Sequence, residues 1–424
     1  MANSEYEFMN TIKDCERLEV IEHTPERRQR VEKSRVIENL LERHNTVRRQ
    51  AINLIVSENR MSERALAPLS SDIQSRYAAS FYAGTEPAQE IIFTVTEMAK
   101  RVFGAKFANL APISGNMSLL AVLFSLTKSQ DYVGRVPPFF PGGGYPINYE
   151  IFDRRPLPLP FSESTWQLDI PKTLELLEQY KPPLVVLGSS IVTFPMPVRE
   201  IADLVHQYGG IVAYDGSHPL GLIVGGQYQD PLREGADLLF GSTHKTFPGP
   251  QGGIILTNSE EIHKRVELLA NFTPLNGPTL ICNPHLARIA STGIVLEETR
   301  WHDYARQVVS NARTIAYALR EENIPLRGIQ ASNYPEPTYC HQVITDYSKR
   351  DGVELRDHLA RHHINVDGFL RIGTSEITRL GFKEGECRVL GKLLARLLQR
   401  NEKDMAKVDG QINDLVRSHR MVVL

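Results

Sequence analysis

Short apolar runs alternate along the chain with segments in which apolar residues recur every three or four positions. Residues 184–190 and 211–218 are apolar runs that end in small or polar residues, which is typical of buried strands. Between them, residues 198–210 have helical periodicity and end at two glycines. The order strand, helix, strand predicts a βαβ unit whose parallel strands are covered by helices on both faces.

The same alternation continues on both sides of this unit. Residues 237–242 and 252–258 have the pattern of two further strands, and residues 107–127 that of a short strand, a turn and a helix. Helical periodicity marks four more segments: residues 26–50, 90–105, 301–323 and 386–404. We therefore predict an α/β protein with a mostly parallel sheet flanked by helices. The predicted parts are an N-terminal helical arm (1–64), a large domain (65–300) and a smaller C-terminal α/β domain (301–424).

Three polar clusters stand where predicted strands end. They are Ser189-Ser190, residues 215–218 and residues 242–245. In open α/β sheets, ligands bind beyond the carboxyl ends of the strands. Three such clusters together predict a site at this edge of the sheet.

Asp215 and Lys245 are the chemically informative members of these clusters. A carboxylate or an ammonium at a buried strand end needs a partner, so each residue alone also fits a structural ion pair. Desolvation lowers the pKa of a lysine and makes it a suitable amine for a Schiff base. Together the two residues fit pyridoxal phosphate, because the lysine can bind its aldehyde while the aspartate keeps its pyridine nitrogen protonated.

Two other segments could bind the anionic groups of such a cofactor and its substrate. Ser114-Gly115-Asn116 directly precedes a predicted helix and could cradle a phosphate, although an ordinary capped helix has the same pattern. Arg371 lies between apolar residues, and its planar guanidinium could bind a carboxylate with two hydrogen bonds. A structural salt bridge is the alternative for Arg371, and Arg379 fits a structural role better.

Composition excludes several other classes of protein. The 424 residues carry a formal net charge of −2, which disfavours a dedicated nucleic-acid binder. The four cysteines are far apart, so neither a metal site nor a disulfide scaffold is predicted. The polar N-terminal segment lacks the apolar stretch of a signal peptide, and no apolar run is long enough to span a membrane. We therefore expect a cytoplasmic protein with a small-molecule substrate.

Residues 214–226 and 235–256 resemble the central segments of serine hydroxymethyltransferases and their relatives, including the L-threonine transaldolases. The shared motifs are T-H-K followed by P-G-P-x-G-G, and D-x-x-H. Residues 54–59, 114–116, 199–204, 307–319 and 369–386 match further family segments in the same order. These enzymes belong to the aspartate-aminotransferase-like group (fold type I) and use pyridoxal 5'-phosphate, so the resemblance implies this fold and cofactor.

The resemblance also implies roles for individual residues. Lys245 would bind the cofactor aldehyde, Asp215 would pair with the pyridine nitrogen, and His218 would lie beside the phenolic oxygen. The phosphate would be held by Ser114, Gly115 and Asn116, and Ser190 or its neighbour Ser189 would also touch the cofactor. The substrate side would use Arg371 and Ser57, with Glu58 nearby, while His244 would order the network. Tyr77, Tyr82 and Gly277 match residues that reach across a subunit interface, which implies a homodimer with shared sites, or a tetramer built from such dimers.

Three positions depart from the family pattern. Ala79 replaces a glutamate that handles protons near the hydroxyl of serine and the folate, and an alanine cannot do this. Tyr145 stands where the family has a histidine stacked on the cofactor, and a tyrosine can stack but cannot act as an imidazole acid or base near neutral pH. Gln251 replaces an arginine that is frequent at this position in the family, and this difference says little about the reaction.

These departures leave the reaction open. The first interpretation is an enzyme that makes or breaks the Cα–Cβ bond of a β-hydroxy-α-amino acid without folate, as an aldolase, transaldolase or hydroxymethyltransferase. The second is the same scaffold used for decarboxylation, oxidation or β/γ-replacement in a specialised pathway. The third is a catalytically silent paralogue that only binds, against which the intact Lys245 and Asp215 argue.

Overall fold

The computed structural model describes residues 36–78, 82–138, 143–271, 280–281, 283, 285–328, 334–400 and 404–423. The chain divides into two compact units, residues 1–50 and 51–424. In the first unit, the described residues form helix α1 (Val36–Arg49), which has no buried residues. Its apolar residues form an exposed stripe, as the amphipathic pattern predicted: Ile37, Leu40, Leu41 and Val47. Residues 26–35 of the predicted helix lie outside the described part.

Helices form where the sequence has helical periodicity, and many begin at a capping side chain. Besides α1, the helices are α2 (Glu63–Leu66), α3 (Glu86–Phe103), α4 (Gly115–Leu126), α5 (Ile170–Tyr180), α6 (Val198–Gln207), α7 (Leu220–Val224), α8 (Pro231–Glu234), α9 (Glu260–Glu267), α10 (Leu286–Glu298), α11 (Trp301–Glu321), α12 (Lys349–Arg361), α13 (Ser375–Arg379), α14 (Glu384–Leu398) and α15 (Met405–Ser418). Short 3₁₀ turns cover Ala67–Ser70, Asp72–Ser75 and Glu150–Phe152. Gly104 ends α3 in the left-handed region at φ 62°, where glycine has no steric penalty.

Strands form in the apolar runs. They are β1 (Ile52–Asn53), β2 (Phe107–Asn109), β3 (Tyr132–Arg135), β4 (Arg155–Pro158), β5 (Phe161–Ser162), β6 (Gln167–Leu168), β7 (Leu184–Leu187), β8 (Ile211–Asp215), β9 (Leu238–Ser242), β10 (Gly253–Thr257), β11 (Gln342–Ile344), β12 (Ile364–Asn365) and β13 (Arg371–Gly373).

Seven of these strands form the main sheet in the order β2-β10-β9-β8-β7-β3-β4. Strand β10 runs antiparallel to both of its neighbours, β2 and β9, whereas the pairs from β9 to β4 are parallel. The predicted βαβ unit is confirmed as β7-α6-β8, with Leu187 opposite Tyr214. The sheet is thus mixed but mostly parallel, as expected.

Successive residues of the central strands point into two different cores. Val185, Leu187 and Val212 belong to one hydrophobic cluster, whereas Leu184 and Val186 belong to another. This alternation follows from the two-residue period of a strand and places packed helices on both faces of the sheet. The strands therefore look apolar along their whole length in the sequence.

A further core lies in the C-terminal part of the second unit. It joins α11 and α14 to the short strands β1 and β12, where Ile52 pairs with Ile364. The segment that follows α1 therefore packs with C-terminal residues. The division into residues 1–64, 65–300 and 301–424 stays a prediction.

The fold brings the predicted site together because β7, β8 and β9 are adjacent and parallel. Their carboxyl ends meet at one edge of the sheet, so the clusters after Leu187, around Asp215 and after Ser242 are neighbours. Among the helices that the structure describes, none is long and apolar enough to cross a lipid bilayer.

Candidate active site

Lys245 and Asp215 lie at the ends of neighbouring strands and influence one another's charge. Burial lowers the pKa of Lys245 to about 8, with Asp215 opposing the shift and Arg371 adding to it. Burial likewise raises the pKa of the Asp215 carboxyl, although the backbone N–H of Ser217 donates to its Oδ1 at 2.9 Å. Within the described ranges, no cationic side chain forms a direct ion pair with Asp215. An amine that loses its proton this easily is suited to attack an aldehyde.

The N-terminus of α4 packs tightly against the end of β9. The hydroxyl of Ser114 caps the helix by accepting from the N–H of Met117 at 3.1 Å. The first N–H groups of the helix, from Gly115 onward, have no acceptor within the helix. A Cβ on Gly115 would lie 2.2 Å from the Oγ of Ser242, so only glycine fits between this helix and the end of β9. Phosphate binding by Ser114, Gly115 and Asn116 is consistent with this geometry.

The motif at residues 54–59 holds the backbone of the lysine. Asn59 donates from Nδ2 to the carbonyl of Lys245 at 2.5 Å and lies 2.9 Å from the hydroxyl of Tyr304. The same hydroxyl donates to the carbonyl of Thr246 at 2.9 Å. Two consecutive carbonyls are therefore fixed by side chains that are distant in sequence, which sets the path of the loop that carries Lys245.

His218 belongs to a fully buried polar cluster. Its ring stacks on that of His341, with centroids 5.5 Å apart, and its Nδ1 lies 2.9 Å from Nε2 of Gln342. Burial lowers the pKa of His218 well below its ordinary value, and that of His341 to about 3. Both rings are therefore neutral at physiological pH.

Two contacts fix the guanidinium of Arg371. Its Nε donates to Oδ2 of Asp367 at 2.7 Å, and its Nη1 donates to the carbonyl of Ser190 at 2.8 Å. These contacts do not use Nη2. The strand that carries Arg371 also contacts the motif at residues 54–59: the N–H of Gly373 donates to the carbonyl of Leu54, and a Cβ on Gly373 would collide with the backbone of Val56, which precedes Ser57. The pKa of Lys245 responds to Arg371, which ties Arg371 to the same site.

The loop before Tyr145 is tied to the same strand ends. The N–H groups of Ser190 and Ile191 both donate to the carbonyl of Gly143, at 2.8 and 3.2 Å. The buried Arg135 donates to the carbonyl of Tyr145 at 2.6 Å. The Tyr145 side chain itself is 43% exposed. It therefore stands on a fixed backbone at the edge where the cofactor is expected.

Fewer contacts define the positions of Ser189, Glu58 and His244. The hydroxyl of Ser189 accepts from the N–H of Ile191. The contact of this loop with Arg371 is made by the backbone carbonyl of Ser190. Glu58 accepts from the amide of Asn53, which also donates to Glu376. Burial lowers the pKa of His244 to about 4, and its Nδ1 has no hydrogen-bond partner among the described residues.

Tyr77 and Tyr82 lie side by side at the surface. Their ring centroids are 5.3 Å apart, and the side chains are 44% and 39% exposed. Ala79 and Gly277 lie outside the described residues, so the structure tests neither prediction.

Sequence reasoning missed Asn59, His341 and Gln342. In the sequence, Asn59 stands out only as the last residue of the motif at residues 54–59. His341 and Gln342 are completely buried polar residues at the start of β11. Two polar residues directly before an apolar run were the available signal, because buried polar groups must be hydrogen-bonded to a specific partner.

The residues at the strand ends fit pyridoxal phosphate. Lys245 offers an amine of lowered pKa, Asp215 offers a carboxylate that forms no direct ion pair among the described residues, and the N-terminus of α4 offers backbone N–H groups that have no acceptor within the helix. His218, three residues after Asp215, completes the set. The cofactor needs each of these chemical properties, and the fold brings them to one edge of the sheet.

Comparisons with known proteins agree with this assignment. A family profile described as "Serine hydroxymethyltransferase" matches residues 31–334. The serine hydroxymethyltransferase of Aeropyrum pernix is 36% identical over 410 residues, covering 89% of this chain and 90% of that protein. Those of Korarchaeum cryptofilum and Thermococcus kodakarensis are 34% and 35% identical, covering 92% and 87% of this chain and 95% and 90% of those proteins.

A solved structure supports the fold. L-Threonine transaldolase from Pseudomonas fluorescens superposes with a TM-score of 0.80 over 93% of both chains, at 24% sequence identity. The expected fold type I is therefore confirmed, with its mostly parallel sheet flanked by helices. The chain belongs to the serine hydroxymethyltransferase family and is a pyridoxal phosphate-dependent transferase.

Proposed function

We propose that this enzyme makes or breaks the Cα–Cβ bond of a β-hydroxy-α-amino acid, as an aldolase, transaldolase or hydroxymethyltransferase, without using folate. When bound, pyridoxal phosphate supplies the electron sink for the charge that remains at Cα. Asp215 would keep the pyridine nitrogen protonated, and Lys245 would bind the aldehyde group. His218 would lie beside the phenolic oxygen, and Ser114, Gly115 and Asn116 would hold the phosphate.

The observation that carries this proposal is the link between Arg371 and Lys245. Arg371 lies close enough for its charge to lower the pKa of Lys245, and it is anchored to the carbonyl of Ser190 at a strand end. A guanidinium in this place can bind the α-carboxylate of an amino acid on the same side as the reacting amine. Fixing the carboxylate decides which Cα bond is broken, because it limits how the substrate can turn.

The names of the similar proteins favour one choice among the possible Cα reactions. The relatives are named serine hydroxymethyltransferase, and the structural neighbour is named L-threonine transaldolase. Both names describe chemistry of β-hydroxy amino acids. We therefore place serine, threonine and glycine first among the substrates to be tested.

Independence from folate rests on the sequence. Ala79 has no acidic group, and it stands where the family pattern has the glutamate that serves the folate-dependent reaction. Tyr145 replaces a histidine and can stack on the cofactor through its ring. An imidazole proton transfer is thereby lost at this position, whereas the groups needed at Cα are retained.

The supporting roles complete the proposal. Ser57 assists Arg371 with the carboxylate, Glu58 stays near the substrate, and His244 orders the groups around Lys245. Ser190 contacts the cofactor. Two copies of the chain share their sites, with Tyr77, Tyr82 and Gly277 reaching into the partner's site, and the exposed tyrosine pair supports this arrangement. The cytoplasmic location stays a prediction.

Substrate turnover tests the proposed reaction. Holoenzyme is incubated with L-threonine or L-serine, with and without tetrahydrofolate, and the released aldehyde and glycine are quantified. We expect release of an aldehyde from at least one amino acid at a rate that folate does not change. A reaction that needs folate would refute folate independence, and carbon dioxide release or oxygen uptake instead of aldehyde would favour the other chemistries.

Mixing two inactive variants tests the shared site. Lys245→Met removes the reactive amine, and Tyr77→Ala removes the residue expected to come from the partner. Because a mixed dimer contains one site with both residues intact, unfolding and refolding the variants together should restore activity. The absence of restored activity, with mixed dimers shown by mass spectrometry, would contradict a shared site.

A further inference from the structure

Gln342 connects His218 to two backbone groups of the loop after β7. Its Oε1 accepts from the N–H of Val192 at 3.1 Å, and its Nε2 donates to the carbonyl of Ser190 at 3.2 Å. The same Nε2 lies 2.9 Å from Nδ1 of His218. The Gln342 side chain is completely buried, so these groups are its surroundings.

The orientation of this amide is dictated by the backbone. A backbone N–H can only donate and a carbonyl can only accept, so Oε1 must face Val192 and Nε2 must face Ser190. Rotating the amide by 180° would place its NH₂ group against the N–H of Val192 and its oxygen against the carbonyl of Ser190. The nitrogen that approaches His218 is therefore a donor, independently of how similar the two ends of an amide look.

The proton of His218 follows from this orientation. A donor at 2.9 Å requires Nδ1 of His218 to accept, so that the ring proton is on Nε2. His341 supports the same arrangement, because its Nε2 must donate to the carbonyl of Val56 at 3.1 Å and lies 3.4 Å from Nδ1 of His218. Because the Nε2 atom of His341 is itself protonated, it cannot accept a proton from Nδ1 of His218, and Gln342 supplies the donor to this atom.

We propose that Gln342 is a positioning residue that holds His218 as the neutral Nε2–H tautomer and links it to Arg371 through the carbonyl of Ser190. This carbonyl accepts from Gln342 on one side and from Nη1 of Arg371, at 2.8 Å, on the other. The residue assigned to the phenolic oxygen of the cofactor and the residue assigned to the substrate carboxylate therefore share one backbone acceptor. His218 presents a donor, not an acceptor, from its Nε2 atom. The proposal relies on the cofactor assignment and is independent of the particular amino acid used.

Nitrogen-15 NMR of the full-length chain tests the tautomer directly, both with and without cofactor. In histidine-labelled protein, the ring nitrogen that lacks a proton has a strongly deshielded resonance, and the spectrum of His218→Asn identifies the signals of His218. We expect the deshielded resonance on Nδ1 of His218. A proton on Nδ1, or a doubly protonated ring at neutral pH, would overturn the proposal from the wild-type spectrum alone.

Gln342→Glu tests whether Gln342 is the cause. At alkaline pH the introduced carboxylate can only accept, so Nδ1 of His218 should acquire the proton and the deshielded resonance should move to Nε2. An unchanged His218 spectrum in this variant would refute a positioning role.

A matched pair of substitutions separates positioning from general stability. Gln342→Leu and Gln229→Leu each remove a side-chain amide that binds one backbone N–H and one backbone carbonyl. The Gln342 amide is fully buried, whereas the Gln229 amide is partly buried and binds the N–H and the carbonyl of Met196. Gln342→Leu should change the His218 spectrum and weaken glycine binding by about tenfold, since one charge-assisted contact of Arg371 loses its alignment. Gln229→Leu should lower the melting temperature and leave both readouts unchanged. Equal effects of the two variants on glycine binding would overturn the link to Arg371.

Discussion

The amide of Asn59 donates to the backbone carbonyl of Lys245, with 2.5 Å between nitrogen and oxygen. Tyr304 holds the next carbonyl, that of Thr246, at 2.9 Å. These contacts act on the main chain, so they fix where the lysine side chain starts without engaging its amine. The reactivity of Lys245 and its position are thus controlled by different groups.

Loss of the Asn59 contact should loosen the lysine loop. In Asn59→Leu the Lys245 carbonyl and the Tyr304 hydroxyl each lose a partner, and leaving a buried polar group unsatisfied costs about 1–3 kcal/mol. We expect a lower free energy of unfolding together with faster loss of cofactor on dialysis. Thermal unfolding and cofactor absorbance measure the two effects. Asn258→Leu changes an exposed asparagine and should leave cofactor retention as in the wild type.

The lowered pKa of Lys245 predicts a pH dependence of stability in the cofactor-free chain. The pKa is about 8 in the folded chain and 10.5 in an exposed lysine, so between these values the unfolded chain binds more protons. The contribution of Lys245 to the free energy of unfolding therefore rises with pH across this window. Below the window the contribution is constant and destabilises the folded chain. Urea titrations of wild type and Lys245→Met should diverge accordingly. A difference that is flat between pH 8 and 10.5 would show that the lysine is not desolvated.

Asp215 should matter for catalysis far more than for folding. Asp215→Asn keeps the shape of the side chain but removes the carboxylate that would keep the pyridine nitrogen protonated. We expect aldehyde release to fall by about 10²-fold or more, the scale of removing one preorganised electrostatic group. Steady-state rates of Asp203→Asn, which alters an exposed aspartate on α6, should equal those of the wild type.

Arg371 should act mainly on substrate affinity. Arg371→Lys keeps the positive charge but loses the planar fork that contacts Asp367 and Ser190. We expect the dissociation constant for glycine to rise by about 10- to 100-fold, measured as a change in cofactor absorbance, while cofactor content is unchanged. Arg388→Lys, in the exposed pair with Glu321, is the control. Equal glycine affinity in wild type and Arg371→Lys would remove Arg371 from the substrate site.

The sequence allowed the sheet and its reactive strand ends to be predicted, because their physical signals are local. Apolar runs such as Leu184–Leu187 and Leu238–Ser242 are buried on both faces, and polar residues interrupt them only where they end. Asp215 and Lys245 could be paired because adjacent parallel strands place their ends at the same edge. The antiparallel direction of β10 has no comparable local signal.

Residues that act through distant contacts could not be predicted in the same way. Gln342 is bonded to Val192 and His218, more than 120 residues away, and nothing in its neighbouring sequence indicates either partner. Asn59 meets Lys245 across 186 residues. Such pairings depend on how the C-terminal core packs beside the main sheet, which local periodicity does not encode. Ala79 and Tyr145 were noticeable only as departures from a family pattern.

Exchange of the α-proton of glycine requires the cofactor, Lys245, Asp215 and Arg371 to act together at Cα, so it reports on the whole proposed site at once. Holoenzyme in deuterated water is incubated with glycine, without folate, and the glycine signal is followed by proton NMR. We expect exchange by the wild type, a large loss of exchange in Lys245→Met, and exchange by Gln229→Leu at the wild-type rate. No exchange by cofactor-loaded wild type at saturating glycine would contradict the proposed site.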